Sequence, residues 1–129
     1  MSMDSKTKPA ASIDLESLVN SHTLPFVVID NDYRIMAVNS AYEQRYGAPG
    51  ETFIGRKCYV VSHGKSHPCD QEGEECPHAR VYNQGQASTC SHLHMDGDKR
   101  MHQVKVSAFP LQGSDGQLYL GECIEELLP

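Results

Sequence analysis

The sequence lacks the features that would make it basic, membrane-spanning or secreted. Lysine and arginine number 11 against 17 aspartates and glutamates, a formal charge of −6. That shortage of positive charge argues against nonspecific binding to nucleic acid or to an anionic membrane surface. No apolar run approaches the roughly 18 residues of a membrane-spanning helix. The first residues, Met1 to Pro9, hold no apolar signal core. A cytoplasmic location is the expectation, and paired disulfides are rare there. Five cysteines, an odd number, fit reduced thiols or metal ligands better than a bridge framework. Catalytic signatures are missing too. There is no nucleophile elbow, phosphate loop or paired-carboxylate motif, so an enzyme is not expected.

What the chain does have is a dense Cys/His stretch. Three of five cysteines (Cys58, Cys69, Cys76) and three of seven histidines (His63, His67, His78) fall within residues 58–78. No periodic apolar face explains that density. These side chains supply soft metal ligands, redox thiols and imidazoles that titrate near neutral pH.

The remainder reads as scaffold for one domain, residues 12–129, preceded by a disordered polar tail over 1–11. Ile13, Leu15, Leu18 and Val19 predict a short amphipathic helix over about 12–21. Its stripe must cover the domain's own sheet or a second copy of the chain. Two strands follow, Phe26 to Ile29 and Arg34 to Val38, joined by an Asp/Asn-rich turn. Asn39 or Ser40 caps a helix from Ala41 to Tyr46. A further helix starts near Pro77. Strands at Ser88 to Met95, Arg100 to Phe109 (stopped by Pro110) and Gln117 to Ile124 complete the chain, with Asp/Gly turns between them. This order is α+β with an antiparallel sheet.

At this point the chain resembles a PAS domain over residues 13–126. Val38-Asn39, Ala41 and Tyr46-Gly47 resemble the opening hairpin and first helix. Phe53 to Arg56 resembles the usual Ile-Gly step, and Val104 to Pro110 followed by Asp115-Gly116 resembles the closing hairpin. Cys58-Tyr59, Ser62 to Gly64, Pro68-Cys69 and Cys76-Pro77 are similar to a cysteine-bearing PAS subgroup of bacterial sensor kinases, cyclic-di-nucleotide enzymes and transcriptional regulators. The resemblance implies a PAS fold: five antiparallel strands, short helices on one face and a small cavity between. It also implies sensing or protein association. A homodimer through the N-terminal helix and sheet is expected. So is an output domain, a kinase, cyclic-di-nucleotide enzyme or regulator, outside this chain, since Leu127-Leu128 reads as a cut boundary.

The candidate metal set is Cys58, His67, Cys69, Cys76 and His78, with His63 or Cys90 as a further possible ligand. Spacings of ten, six and thirteen residues between successive cysteines from Cys58 to Cys90 match no Cys-x2-Cys knuckle. Zinc needs four N/S ligands in a tetrahedron, and an iron–sulfur cluster would use the same thiolates. Buried, inert cysteines or a Cys69–Cys76 thiol switch are the other readings. Haem through His78 is possible by the family resemblance, although His78 comes early in its helix. Flavin is not expected, because the Asn-Cys-Arg-Phe-like run of the light-sensing subgroup is missing. Thiol catalysis is disfavoured by Asp70, Glu72, Glu74 and Glu75, whose charge opposes a thiolate. Finally, alternation puts Cys90, His92 and His94 on one face of their strand and Thr89, Ser91, Leu93 and Met95 on the other. The expected arrangement turns Leu93 and Met95 inward. In the alternative, Cys90, His92 and His94 are cofactor-binding residues lining a cavity.

Overall fold

The computed structural model describes residues 14–47, 53–63 and 77–127. Among the described residues, four helices, α1 (Leu15–Asn20), α2 (Ser40–Tyr46), α3 (Cys58–His63) and α4 (Pro77–Gln84), accompany five strands. These are β1 (Phe26–Ile29), β2 (Ile35–Val38), β3 (Ser88–Met95), β4 (Met101–Gln112) and β5 (Leu118–Glu126). The sheet is antiparallel throughout, in the order β2-β1-β5-β4-β3. The expected α+β architecture is therefore present. The expected tail over residues 1–11 lies outside the described residues, as do His67, Cys69 and Cys76. Among the described residues, no helix is long and apolar enough to cross a membrane.

The sheet has a core on each side. Its inner face, formed by Val27, Ile29, Val104, Val106, Leu120 and Ile124, packs under α2, α3 and α4. Its outer face carries Phe26, Val28, Ala37 and Tyr119, and α1 lies across them through Leu15, Leu18 and Val19. The stripe of α1 thus covers the domain's own sheet. Val19 is fully buried, which contributes about 1.5 kcal/mol. All four residues of β1 are buried because both its faces are covered. α1 has only six residues, fewer than the stripe predicts.

Asn39 joins three elements. Its Oδ1 accepts from the amides of Tyr42 (2.9 Å) and Phe26 (3.1 Å), and its Nδ2 donates to the carbonyls of His22 (3.1 Å) and Leu24 (2.8 Å). It caps α2 while fixing the entry to β1, and it is buried.

Two hairpin turns share one geometry. In the β1–β2 turn, Asp30 Oδ1 accepts from the amides of Asp32 and Arg34. In the β3–β4 turn, Asp96 Oδ1 accepts from those of Asp98 and Arg100. The fourth residue of each turn is left-handed: Tyr33 at φ 66° and Lys99 at φ 65°. The β4–β5 turn places Gly116 there, at φ 82°, without the side-chain penalty.

Strand β4 runs through Pro110 to Gln112, past the expected stop. The register explains this: β3 begins opposite Ala108, so beyond it β4 is an edge on that side. An edge tolerates a residue with no N–H. Pro110 instead pairs with Leu120 of β5. Gly121 of β5 is required by packing, since a Cβ there would lie 2.8 Å from Leu111 Cδ1 and 3.0 Å from the Phe109 ring.

Candidate functional site

Strand β3 faces opposite to the expected way. Cys90, His92 and His94 point inward, at 7%, 3% and 2% exposure, while Leu93 is 49% exposed on the outer face. The reason is coverage. α1 spans the β1, β2 and β5 side of the outer face and leaves β3 bare, whereas α3 and α4 cover β3 from inside. Burial follows the cover, and Leu93 is left in water at modest cost.

α2 meets this strand from above. The Asn39 cap sets its start, and Tyr42 and Tyr46, one turn apart, both turn inward. The Tyr46 hydroxyl and His94 Nδ1 are 2.6 Å apart, and the ring centroids 5.6 Å apart. Tyr42 packs on Tyr46 (4.5 Å) and edge-on to Phe53 (5.7 Å). Burial pushes both phenols well above the ordinary tyrosine range. For Tyr42 the charges of Tyr46, Cys58 and Glu122 push the same way, opposed by Arg56. Both hydroxyls therefore keep their protons at physiological pH. Tyr46 is a donor or acceptor to His94 according to the histidine tautomer.

Glu122 belongs to this face and sequence reasoning missed it. It pairs in register with Val27 and Ala108, between the buried Leu120 and Ile124 on the inner side of β5, and is half-buried. The alternation Leu120, Glu122, Ile124 carried the signal: a carboxylate set between two apolar side chains of one row.

The candidate metal residues divide. Cys58 and His78 stand at the starts of α3 and α4, and both meet Tyr33. The Cys58 amide donates to the Tyr33 carbonyl (2.8 Å), and the His78 ring stacks on that of Tyr33 at 3.8 Å and 15°. His78 Nε2 is 3.0 Å from the Asp30 carbonyl. A carbonyl only accepts, so Nε2 carries the hydrogen and the neutral ring keeps its lone pair on Nδ1. His78 is thereby tied to the β1–β2 turn rather than aimed at the middle of the sheet. Among the described residues, no group of three or more His, Cys, Asp or Glu side chains is placed to hold a metal ion. Cys123 lies on the outer face opposite Phe26, its thiol pKa raised by burial and by Glu125.

Comparison with known proteins is informative at the level of fold. No curated protein matches the chain in sequence. Among solved structures it is similar to the PAS domain of an HTR-like protein from Haloarcula marismortui, at 15% identity and a TM-score of 0.64, covering 88% of this chain and 94% of that one. It is similar to the PAS domain of nitrogen regulation protein NR(II) from Vibrio parahaemolyticus, at 16% identity and a TM-score of 0.67, covering 86% and 95%. It is also similar to Vibrio cholerae VqmA, a dimer of a LuxR-type receptor, at 18% identity and a TM-score of 0.67, covering 87% of this chain and 49% of VqmA. VqmA has also been solved bound to DPO. The sequence model described as the PAS fold matches residues 19–125. Matched over that span and folded as a five-stranded antiparallel sheet with short helices, the chain belongs to the PAS family.

Proposed function

We propose that this PAS domain is a sensory module that takes up a small polar molecule at its inner sheet face. It passes occupancy on through the packing of α1 and the outer face against a partner copy or an output domain. One observation carries the reading: the buried, inward row Cys90, His92 and His94, with Tyr46 hydrogen-bonded to His94. Cores are mostly filled by aliphatic side chains, so a thiol and two imidazoles buried in one row point to a role beyond packing. Imidazoles and a thiol on the sheet, a phenol facing them from α2, and Glu122 further across the same sheet face suit a ligand rich in hydroxyl, carbonyl or amino groups.

The test is a titration of small polar metabolites, followed by the imidazole resonances of His92 and His94. A ligand moves both and raises Tm, and His92→Leu weakens the effect. Imidazoles that no compound moves, in a protein that carries no co-purified molecule by mass spectrometry, would overturn the reading.

A metal held by Cys58, His67, Cys69, Cys76 and His78 is the second reading. It is favoured by the Nε2–H bond of His78 to the Asp30 carbonyl. That bond is the orientation a histidine ligand uses to present Nδ1. Elemental analysis of protein purified without oxygen decides it. Zinc points to a structural clamp, iron with matching acid-labile sulfide to a redox sensor, and no metal removes the reading. Cys58→Ala, Cys69→Ala and Cys76→Ala should each lower metal content, and Cys123→Ala should not.

A further inference from the structure

His102 is the second residue of β4 and pairs in register with His94 of β3. Its ring is partly exposed and lies between two carboxylates. Nε2 is 2.6 Å from Asp96 Oδ2 in the β3–β4 turn, and Nδ1 is 3.0 Å from Glu126 Oε2 at the end of β5. An ionised carboxylate only accepts hydrogen bonds. Both contacts are therefore hydrogen bonds only when both ring nitrogens carry hydrogen, which is the charged imidazolium. A neutral histidine has one N–H, so loss of a proton turns one bond into a lone pair facing a carboxylate.

The array is closed by α2. Glu126 Oε1 is 2.7 Å from Arg45 Nη2, and the Arg45 carbonyl accepts from the Gly97 amide at 2.8 Å. Just beyond, the Leu127 amide donates to the Gln103 carbonyl at 3.0 Å. The other titratable groups nearby are Asp98, which lines the same cleft of about 260 Å3, and the neighbouring register partner His94. Arg45 and both carboxylates also act on the Tyr46 phenol, so the array borders the inner face. The cleft admits water to the imidazole.

We propose that Asp96, His102 and Glu126 form a proton-operated latch at the C-terminal end of β5: charged His102 ties the end of β5 to the β3–β4 turn, and its deprotonation lets that end go. Asp96 keeps the remaining N–H, because its other oxygen is held by the Asp98 and Arg100 amides and its contact is the shorter. Glu126 lies on the more exposed strand end and retains Arg45 as partner. The acidic neighbours raise the His102 pKa and burial opposes them weakly, which moves the release to the alkaline side of ordinary histidine titration. This device is separate from ligand uptake at the inner face and stands or falls without it.

The test is NMR on the whole chain across pH, reading the His102 ring nitrogens together with amide hydrogen exchange normalised to the chemical rate. As His102 loses its proton, protection of the Leu127 amide should fall roughly threefold to tenfold, the scale of one charge-assisted hydrogen bond at a partly exposed site. The Val106 amide in mid-β4 should be unchanged. In His102→Gln the Leu127 response should vanish. In Glu126→Gln the His102 titration should move toward its ordinary value. A His102 that titrates at or below the ordinary value overturns the proposal. So does a Leu127 amide equally protected on both sides of the titration, or one whose pH response survives in His102→Gln.

Discussion

The Tyr46 hydroxyl and His94 Nδ1 stand 2.6 Å apart across 48 residues of sequence, and both are buried. Replacing one partner strands the other in a low-dielectric interior. Tyr46→Phe and His94→Leu should each cost about 1.5 kcal/mol in urea unfolding. The double variant should cost clearly less than the sum, because neither partner of this bond is then left unmatched. Strictly additive costs would mean that the pair packs but does not bond.

Asn39 fills four hydrogen bonds at once. Asn39→Ala should destabilise by about 3 kcal/mol, combining a lost cap with buried backbone groups left unmatched. Asn39→Ser, which keeps the cap but not the reach to His22 and Leu24, should fall between. Equal losses for Ala and Ser would show that the cap contributes little.

The twin turns make opposite predictions for one substitution. Lys99 is exposed and left-handed, so Lys99→Gly relieves strain and should stabilise by about 0.5 kcal/mol after the extra freedom of the unfolded glycine. Tyr33 is equally left-handed but stacks on His78 at 3.8 Å and edge-on to Tyr59 at 5.7 Å. Tyr33→Gly should therefore destabilise, by about 1 kcal/mol or more. Thermal unfolding of the two variants compares them directly; a shift of the same sign in both would refute the role given to the stack.

Stability should pass through a maximum in mildly acidic solution. The His102 pKa is raised by Asp96 first and Glu126 second. Its contribution is complete below the unfolded histidine value of about 6.5 and is lost as pH rises through the higher folded value. Asp96 is lowered chiefly by the Arg100 amide, and Glu126 chiefly by Arg45. Their contributions are present above the unfolded carboxylate values and are lost as pH falls through the folded ones. His102→Gln should flatten the alkaline limb and only reduce the acid limb, because the Arg100 amide and Arg45 remain the larger causes there, as read by urea midpoints across pH.

Most of the architecture was legible in the sequence, for local reasons. Asp30, Asp96 and Gly116 announce their turns, and Asn39 its helix, through chemistry confined to a few neighbouring residues. Ser88 to Met95 was bounded correctly by its composition. The facing of that strand was not legible, because both of its rows have a claim to the core: Leu93 and Met95 by apolarity, Cys90, His92 and His94 by what α3 and α4 happen to cover. That choice is made by how α3 and α4 pack over the sheet, which the strand's own residues do not encode. Glu122 was missed because it was read as strand composition instead of as one position on a face. The passage of β4 through Pro110 depends on where β3 begins, a fact of register that no local rule contains.

Strand β1 sends Val27 and Ile29 into one core and Phe26 and Val28 into the other. It is a shared wall between two nearly incompressible rooms. Volume added on the helical side presses the wall toward α1 with no hinge needed, so the outer surface registers what the inner one contains. Ala108→Leu, which overfills the inner room, should therefore speed amide exchange at Val19 on the far side of the sheet. Exchange that rises only in the inner helices would show the wall to be stiff.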